Sequence, residues 1–524
     1  MLISFPQLSE IRHGDHPETV VVIGSGAVGL YLAVSLSKAH RRVVVLEAGG
    51  RDLGGFGTAT FSSVGRPHRG IQISRSRTLG GTTNLWGGQL VEFMPADVQE
   101  RSWPGGEAWP LTFGQLEGYY RETYEALGVS EKVLNDELVW QRLGMQRFDL
   151  GPELEMFLTR WMRIPNLSTL YAAAIEGAPN LIIATGATAV GFDVEGDRVT
   201  AVKVSDGNGN QTRVTGRDVV LAAGTIENAR LMLHAAVSPG CPWHDNGMVG
   251  RRFQDHLGGR VADLKPHDMR RFSNVFSTLV IDGEKLQPKI RTTNRRVRKP
   301  NQLNIQGMLA FESSISENLV FLKQFVKAAI YSRRVGSLKG LMTNSVACSR
   351  YLLPLMWNYI VQHRLLIPKS ASISLHVQSE TIPQDESRIS IDPSIVDRYG
   401  LPKVILDWRV CGDELESIKR FSEDVAASLA TLADVRIIPE LAVGDHRFLD
   451  NLYDTGHQVG GCLMGSGPWN GVVDGDLRVF GTSNLYVAGA GVFRSSGNAN
   501  TTFTAMTLAT RLKDHLVRQV HARN

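Results

Sequence analysis

Residues 19–50 read TVVVIGSGAVGLYLAVSLSKAHRRVVVLEAGG, and few stretches constrain a chain as tightly. TVVVIG is a continuous apolar, β-branched run, suited to a strand buried on both faces of a parallel sheet. GSGAVG then places Gly24, Gly26 and Gly29 in GxGxxG spacing. LYLAVSLSKAH suits a helix, RRVVVLEAGG a second strand, and Glu47 closes that strand about 20 residues beyond the glycines. Each part has a mechanical purpose. The glycines permit a tight turn and close backbone approach to a pyrophosphate, and the helix N-terminus offers unpaired N–H groups to its charge. A carboxylate at position 47 accepts from ribose hydroxyls. A bare GxGxxG carries little weight, but a complete strand–turn–helix–strand–Glu unit predicts a dinucleotide site.

One such fingerprint occurs in 524 residues. A flavoprotein that also bound NAD(P)H in its own Rossmann domain would carry a second. NLYVAGAGVF (484–493) is another buried strand running into glycines, so the two chain ends are expected to close on one nucleotide, FAD rather than NAD. An NAD-dependent dehydrogenase remains the rival, decided by extracting the bound nucleotide.

The length exceeds a single core. With 43% hydrophobic and 21% charged residues, the composition is that of a globular protein. A net charge of +4 is too mild for a nucleic-acid surface. The basic cluster Lys289, Arg291, Arg295, Arg296, Arg298 and Lys299 has no interleaved aromatic residues and reads as a solvated loop. The cysteines at 241, 348, 411 and 462 have neither CxxC nor metal-ligand spacing, so no metal is expected and a reducing compartment suits them. No leader is read at the N-terminus, and YLLPLMWNYIV (351–361), broken by Pro354, is too short to span a bilayer. A cytoplasmic location is the default, and an oligomer is possible.

TGHQVGGCLMG (455–465) sets His457 among glycines. Alone it reads as a packing histidine, since a working site needs convergent partners.

Five ordered segments supply the context: VVIGSGAVGLYLA, RTLGGTTNLWGG (77–88), VVLAAGTIENARLML (219–233), VGRRFQDH (249–256), and the block from His457 through SSGNANTTFTAMTLA (495–509). Along nearly its whole length the chain resembles the glucose–methanol–choline (GMC) family of flavin oxidoreductases. Asn500 followed by TTFTAM is most similar to the sugar-oxidising branch, typified by pyranose oxidase and fructose dehydrogenase, as is Trp86 in the GG loop. Asn228 and Ala229 stand where many members have Thr-Pro, which argues against the fungal alcohol oxidases. Leu85 occupies the position of the histidine that attaches FAD covalently in some relatives, so non-covalent FAD is expected.

The resemblance implies an α/β fold: a Rossmann-like FAD-binding domain with an inserted α+β substrate domain, an antiparallel sheet flanked by helices. The segments expected are 1–100 and 181–265 (FAD-binding), 101–180 (helical linker or insert), 266–444 (substrate) and 445–524 (FAD-binding, with the catalytic pair). DVEGDRVTAVKVSDGNGNQTRV (193–214) reads as a hairpin with Gly-Asn at its tip, and DVVLAAG (218–224) as a return strand. NLVFLKQFVKAAIYS (318–332) reads as an amphipathic helix packing on the core, with a membrane-surface or partner helix as the alternative. SASISLHV (370–377) and ILDWRV (405–410) read as strands of a sheet flooring the substrate pocket.

The resemblance also assigns roles. His457 and Asn500 match the family's catalytic positions. A neutral imidazole takes the alcohol proton as hydride leaves for the flavin, and the Asn500 carboxamide orients the substrate oxygen. Asn500 also suits a helix N-cap, and Asn498 is the neighbouring alternative for the partner. The helix start would stabilise negative charge on reduced flavin. Gly24, Gly26, Gly29, Glu47, Gly80, Gly81, Thr83, Asn84, Gly489, Ala490, Asn500 and Thr501 are the expected FAD contacts. Asp255 and His256 read as structural. The function expected is oxidation of a sugar or glycoside CH–OH group, with oxygen or a quinone-type acceptor. The rivals are a non-sugar alcohol dehydrogenase and a flavin-binding protein without turnover.

Overall fold

A computed structural model describes residues 1–10, 18–52, 61–313 and 352–521. Six parallel strands form the nucleotide sheet, in the order Leu2–Ser4, Leu181–Thr185, Val43–Glu47, Val20–Ile23, Asp218–Leu221, Leu485–Val487. The central strands VVVI, VVVLE and DVVL are buried at every residue, as expected where both faces are covered. Val21 pairs with Val44 on one side and Val219 on the other. The C-terminal strand completes an edge, so the two ends of the chain share one sheet. Helix Ala27–Lys38 meets helix Thr501–His521, where the Tyr31 hydroxyl lies 2.7 Å from the Thr510 hydroxyl.

Thr188–Glu195, Arg198–Ser205 and Gln211–Thr215 form a three-stranded antiparallel meander. Its second turn is the Gly-Asn tip, where the Asp206 carboxylate accepts from the Asn208 amide.

The substrate domain is built on a large, mainly antiparallel sheet. Its order is Ala433–Ile437, Leu257–Pro266, Ser372–Ser379, Ile305–Glu312, Glu284–Thr292, Leu154–Trp161, Gln89–Leu90. Strand alternation gives this sheet two unlike faces. Met156, Leu158, Leu286, Ile290, Ile305, Leu309, Leu375 and Val377 form an apolar face. Helix Glu414–Leu429 packs there, and Gly307 is needed because a Cβ would stand 3.1 Å from the Phe421 ring. The opposite face carries Gln89, Thr159, Gln287, Lys289, Gln306 and Gln378, linked by hydrogen bonds.

Several expectations change. The basic cluster is solvated only in part: Arg295, Arg298 and Lys299 are exposed. Lys289 and Arg291 lie in strand Glu284–Thr292, Asn294–Val297 is a helical turn, and Lys289 and Arg296 are buried. Alternation hides Lys289, since every second residue of the strand faces inward, and Arg296 is buried by its helical turn; a charge count registers neither. ILDWRV joins Arg388–Val396 and Phe61–Gly65 in a separate three-stranded sheet, while SASISLHV does enter the large sheet. The 101–180 stretch contains strand Leu154–Trp161 besides its helices, and the large sheet takes this strand, Gln89–Leu90 and Leu257–Pro266, all of which start ahead of residue 266. The helix read at 318–332 lies outside the described residues. Among those residues, no helix is long and apolar enough to cross a membrane.

Candidate active site

The dinucleotide turn is shaped by sterics at two glycines. Gly24 has φ +99°, and a Cβ there would stand 2.7 Å from the Ala222 carbonyl oxygen. A Cβ on Gly29 would meet the Gly24 carbonyl oxygen at 2.0 Å, so only glycine lets helix Ala27–Lys38 sit this close to the strand. Glu47 ends its strand buried; it accepts from the Ser25 amide (3.0 Å), the Ser25 hydroxyl (2.6 Å) and the Gly49 amide (2.7 Å). Burial raises its pKa, and those three bonds oppose the rise. The GG loop lies over the turn, since a Cβ on Gly81 would reach the Gly26 Cα at 2.7 Å.

These parts open onto one cavity. Gly24, Gly26, Glu47, Gly81, Gly489, Ala490 and Thr501 line it, together with Gly456 and Gln458 on either side of His457. Gly29, Gly80, Thr83, Asn84, Asn500 and His457 are not in its lining. Gly29 acts through packing. Thr83 donates to the Gly80 carbonyl and Asn84 to the Leu79 and Gly81 carbonyls, so both shape the GG loop, and Thr82 is the threonine at the cavity wall. Leu85 is 48% exposed.

His457 sits in a hydrogen-bonded array that defines which nitrogen bears the proton. His256 Nε2 lies 3.2 Å from the Ser496 carbonyl oxygen, which only accepts, so His256 carries its hydrogen there. Burial lowers the His256 pKa and keeps it neutral, leaving Nδ1 as an acceptor. The Nδ1 atoms of His256 and His457 are 3.0 Å apart, so His457 donates from Nδ1, with the Thr455 hydroxyl a further neighbour of that nitrogen at 2.9 Å. His457 Nε2 is left as a bare lone pair. Desolvation first, then the proximity of His256, takes the His457 pKa down to about 3, against the opposing pull of Asp255. Above that value the ring is neutral, with its Nε2 lone pair unprotonated.

Asp255 anchors the array. One carboxylate oxygen accepts from the His457 and Thr455 amides, the other faces His68 Nε2 at 3.1 Å. His68 Nδ1 accepts from the Ile71 amide, so its proton also points at Asp255. Asp454, within 4.8 Å of this pair, accepts from the Arg69 and Gly70 amides. Sequence reasoning gave Asp255 and His256 a structural part and overlooked His68. The run FQDH was visible, but nothing in it reports an imidazole 201 positions away.

Asn500 immediately precedes helix Thr501–His521, yet its Oδ1 is buried without a partner and does not cap the helix. Asn498 is engaged elsewhere. Its amide donates to Asn304 Oδ1, and its carbonyl accepts from Gln306 and Gln378. At the far side of the cavity, Arg75 pairs with Glu227 at 2.9 Å, and Arg230 bridges Glu227 (3.3 Å) and Asp397 (3.0 Å). AAGTIENARL contains Glu227 and Arg230, but their ion pairs to residues 75 and 397 are tertiary.

Two profiles described as GMC oxidoreductase match residues 167–258 and 383–509, and one described as an NAD(P)-binding Rossmann-like domain matches residues 22–69. The chain belongs to the GMC oxidoreductase family. It is an oxidoreductase acting on CH–OH donors, and the family implies FAD. An uncharacterized GMC-type oxidoreductase of Mycobacterium tuberculosis is 24% identical, with 93% of this chain and 97% of the relative covered. The 2-methyl-1,2-propanediol dehydrogenase of Mycolicibacterium austroafricanum is 22% identical over 95% of each chain. The crystal structure of pyridoxine 4-oxidase from Mesorbium loti shares the fold, with TM-score 0.59 and 17% identity over 97% of this chain and 100% of that one.

The residues present fit FAD. A side chain at Gly26 would project into open space, the cradle a pyrophosphate needs. Gln458 Nε2 and Asn500 Oδ1 are buried polar atoms with no protein partner, and such atoms call for a ligand.

Proposed function

We propose that this chain oxidises a secondary or primary hydroxyl of a sugar or glycoside to a carbonyl, with non-covalently held FAD. The turn at Gly24–Gly29, Glu47 and the GG loop would hold the cofactor. Bound FAD supplies the hydride acceptor. His457 takes the hydroxyl proton at Nε2, an effect worth about 10²–10⁴-fold. The imidazolium that results lies beside the ionised Asp255. Asn500 orients the substrate oxygen, and the amide-rich sheet face bearing Gln89, Gln306 and Gln378 suits a hydroxyl-rich substrate. Leu85, lacking a nucleophilic nitrogen, supports non-covalent binding. Oxygen or a quinone-type compound then takes the electrons.

The observation that carries this reading is the position of His457, fixed by Asp255 and His256 and flanked by the cavity-lining Gly456 and Gln458. The competing reading is a non-sugar alcohol, in keeping with the printed name of the propanediol dehydrogenase relative. Anaerobic mixing of the holoenzyme with neutral sugars, glycosides and simple diols, followed by oxygen or a quinone, separates them. Bleaching of the flavin by sugars, lost in His457→Ala with flavin still bound, is expected. Bleaching by diols alone overturns the sugar assignment, and fast reduction of His457→Ala overturns the base.

A further inference from the structure

Lys289 is 5% exposed at the centre of the polar sheet face. Its ammonium nitrogen lies 3.0 Å from Gln89 Oε1 and 3.4 Å from Gln306 Oε1, and among the described residues no carboxylate pairs with it. An ammonium has three donors, so two bonds to neutral amide oxygens, one of them long, leave it undercompensated. Burying an unpaired cation is costly, so such a group either neutralises or takes a counter-ion. The acid on the same face of the neighbouring strand, Glu155, is committed to Arg291.

The position of Lys289 gives this deficit meaning. Gln306, which it contacts, donates to the Asn498 carbonyl at 2.7 Å, two residues before Asn500. Lys289 also contributes to the field at His457. The cation therefore stands on the substrate-domain face that meets the catalytic loop, one glutamine away from it. On the other face the same strand packs Leu286 and Ile290 in the core, so the backbone carrying Lys289 is rigidly placed.

We propose that Lys289, framed by Gln89 and Gln306, binds a carboxylate on the substrate, so that the alcohol oxidised is an acidic sugar or glycoside of the uronate or aldonate class. This rests on the proposed oxidation at His457 and narrows its substrate. Burial pushes the Lys289 amine down to about 7, and a bound carboxylate favours the charged form again. Gln89 is itself held by Thr159 and Gln287, which keeps its oxygen turned to the ammonium and its amide away from the anion.

The test uses matched pairs, glucose with glucuronate and methyl glucoside with methyl glucuronide, and the holoenzyme with its Lys289→Met and Lys289→Arg variants. Two quantities are read: the second-order rate of anaerobic flavin reduction, and glucuronate binding by calorimetry. A charge-assisted hydrogen bond predicts a carboxylate-to-neutral rate ratio about 10- to 100-fold lower in Lys289→Met and largely restored in Lys289→Arg. Glucuronate binding that disappears in Lys289→Met supports the anchor even if no sugar bleaches the flavin, a result that would count against sugar oxidation alone. Equal rates within each pair, equal slowing of both members in Lys289→Met, or no glucuronate binding to the wild-type protein would overturn the anchor.

Discussion

Asp255 accepts the backbone amide of His457 at 2.9 Å while its other oxygen lies 3.1 Å from His68 Nε2. One buried carboxylate thus ties together three parts of the chain: the segment ahead of the GG loop, the residues leading into strand Leu257–Pro266, and the glycine-rich block around His457. Burial alone would raise its pKa. The His68 bond and the surrounding imidazoles outweigh that and hold it below the usual carboxylate range, so it is ionised and accepts at both oxygens.

Asp255→Asn keeps the shape but turns one acceptor into a donor, which must then face either the His68 N–H or the Thr455 and His457 amides. Leaving buried donors unsatisfied costs about 3 kcal/mol. The holoenzyme's unfolding midpoint in urea is expected to fall accordingly, and an unchanged midpoint would show that the network is not mechanically coupled.

In the proposed reaction His256 acts through His457, whose Nδ1 lies 3.0 Å from its own. Glutamine at 256 supplies both an acceptor for His457 Nδ1–H and a donor to the Ser496 carbonyl; leucine supplies neither. His256→Gln is expected to keep flavin reduction within about 10-fold of wild type and His256→Leu to lose about 10²-fold. Because the defect lies in His457's proton placement, the His256→Leu pH profile should also shift. Equal rates and superimposable profiles would remove His256 from the mechanism.

Acid stability follows from the His457 value of about 3 in the folded protein, set against roughly 6.5 for an unperturbed histidine. Between those values the unfolded chain binds a proton that the folded chain does not. Stability from this group therefore rises with pH by up to ~1.4 kcal/mol per unit across that window and is flat above it. The groups facing the ring are His256, Asp255 and, more distantly, Lys289. Unfolding free energies from pH 4 to 7 should show a smaller slope in His457→Gln than in wild type, by about one proton.

Gly29→Ala inserts a methyl 2.0 Å from a backbone oxygen that cannot move without dismantling the turn. The expected result is loss of FAD together with a lower melting temperature. Gly26→Ala meets no protein atom within 4 Å, so it should leave the apoprotein's melting temperature within about 1–2 °C while weakening FAD binding. A fluorescence titration of apoprotein with FAD, run beside thermal melts, distinguishes the two.

Denaturation by heat or acid should release the flavin to the supernatant, because Leu85 offers no nitrogen for attachment. Flavin that stays with the precipitated polypeptide would establish a covalent bond at another residue.

Much of the nucleotide half was readable in advance for a local reason. VVVIGSGAVG, VVVLE and DVVLAAG are short, contiguous and uniformly apolar, and burial on both sheet faces leaves that mark on the strand itself. The residues expected to hold the cofactor at Gly24, Gly26, Glu47, Gly81, Gly489, Ala490 and Thr501 come to a common cavity through such local units. Thr83 was named where Thr82 lines the wall, because a 3-10 turn at Gly81–Asn84 rotates neighbouring side chains apart, a feature spacing alone does not disclose.

The sequence by itself determined that a nucleotide turn, its acidic partner and a histidine-bearing glycine block occur in this order, since each depends on contacts within a few residues. Only the tertiary structure decided which nitrogen of His457 is bare, because that depends on Ser496, His256 and Asp255 meeting across more than 200 positions. It also turned a run of basic residues into a strand with Lys289 facing inward. Whether a charge is solvated or buried is a property of the sheet it enters, and the strand's own residues do not encode the face against which that sheet will pack.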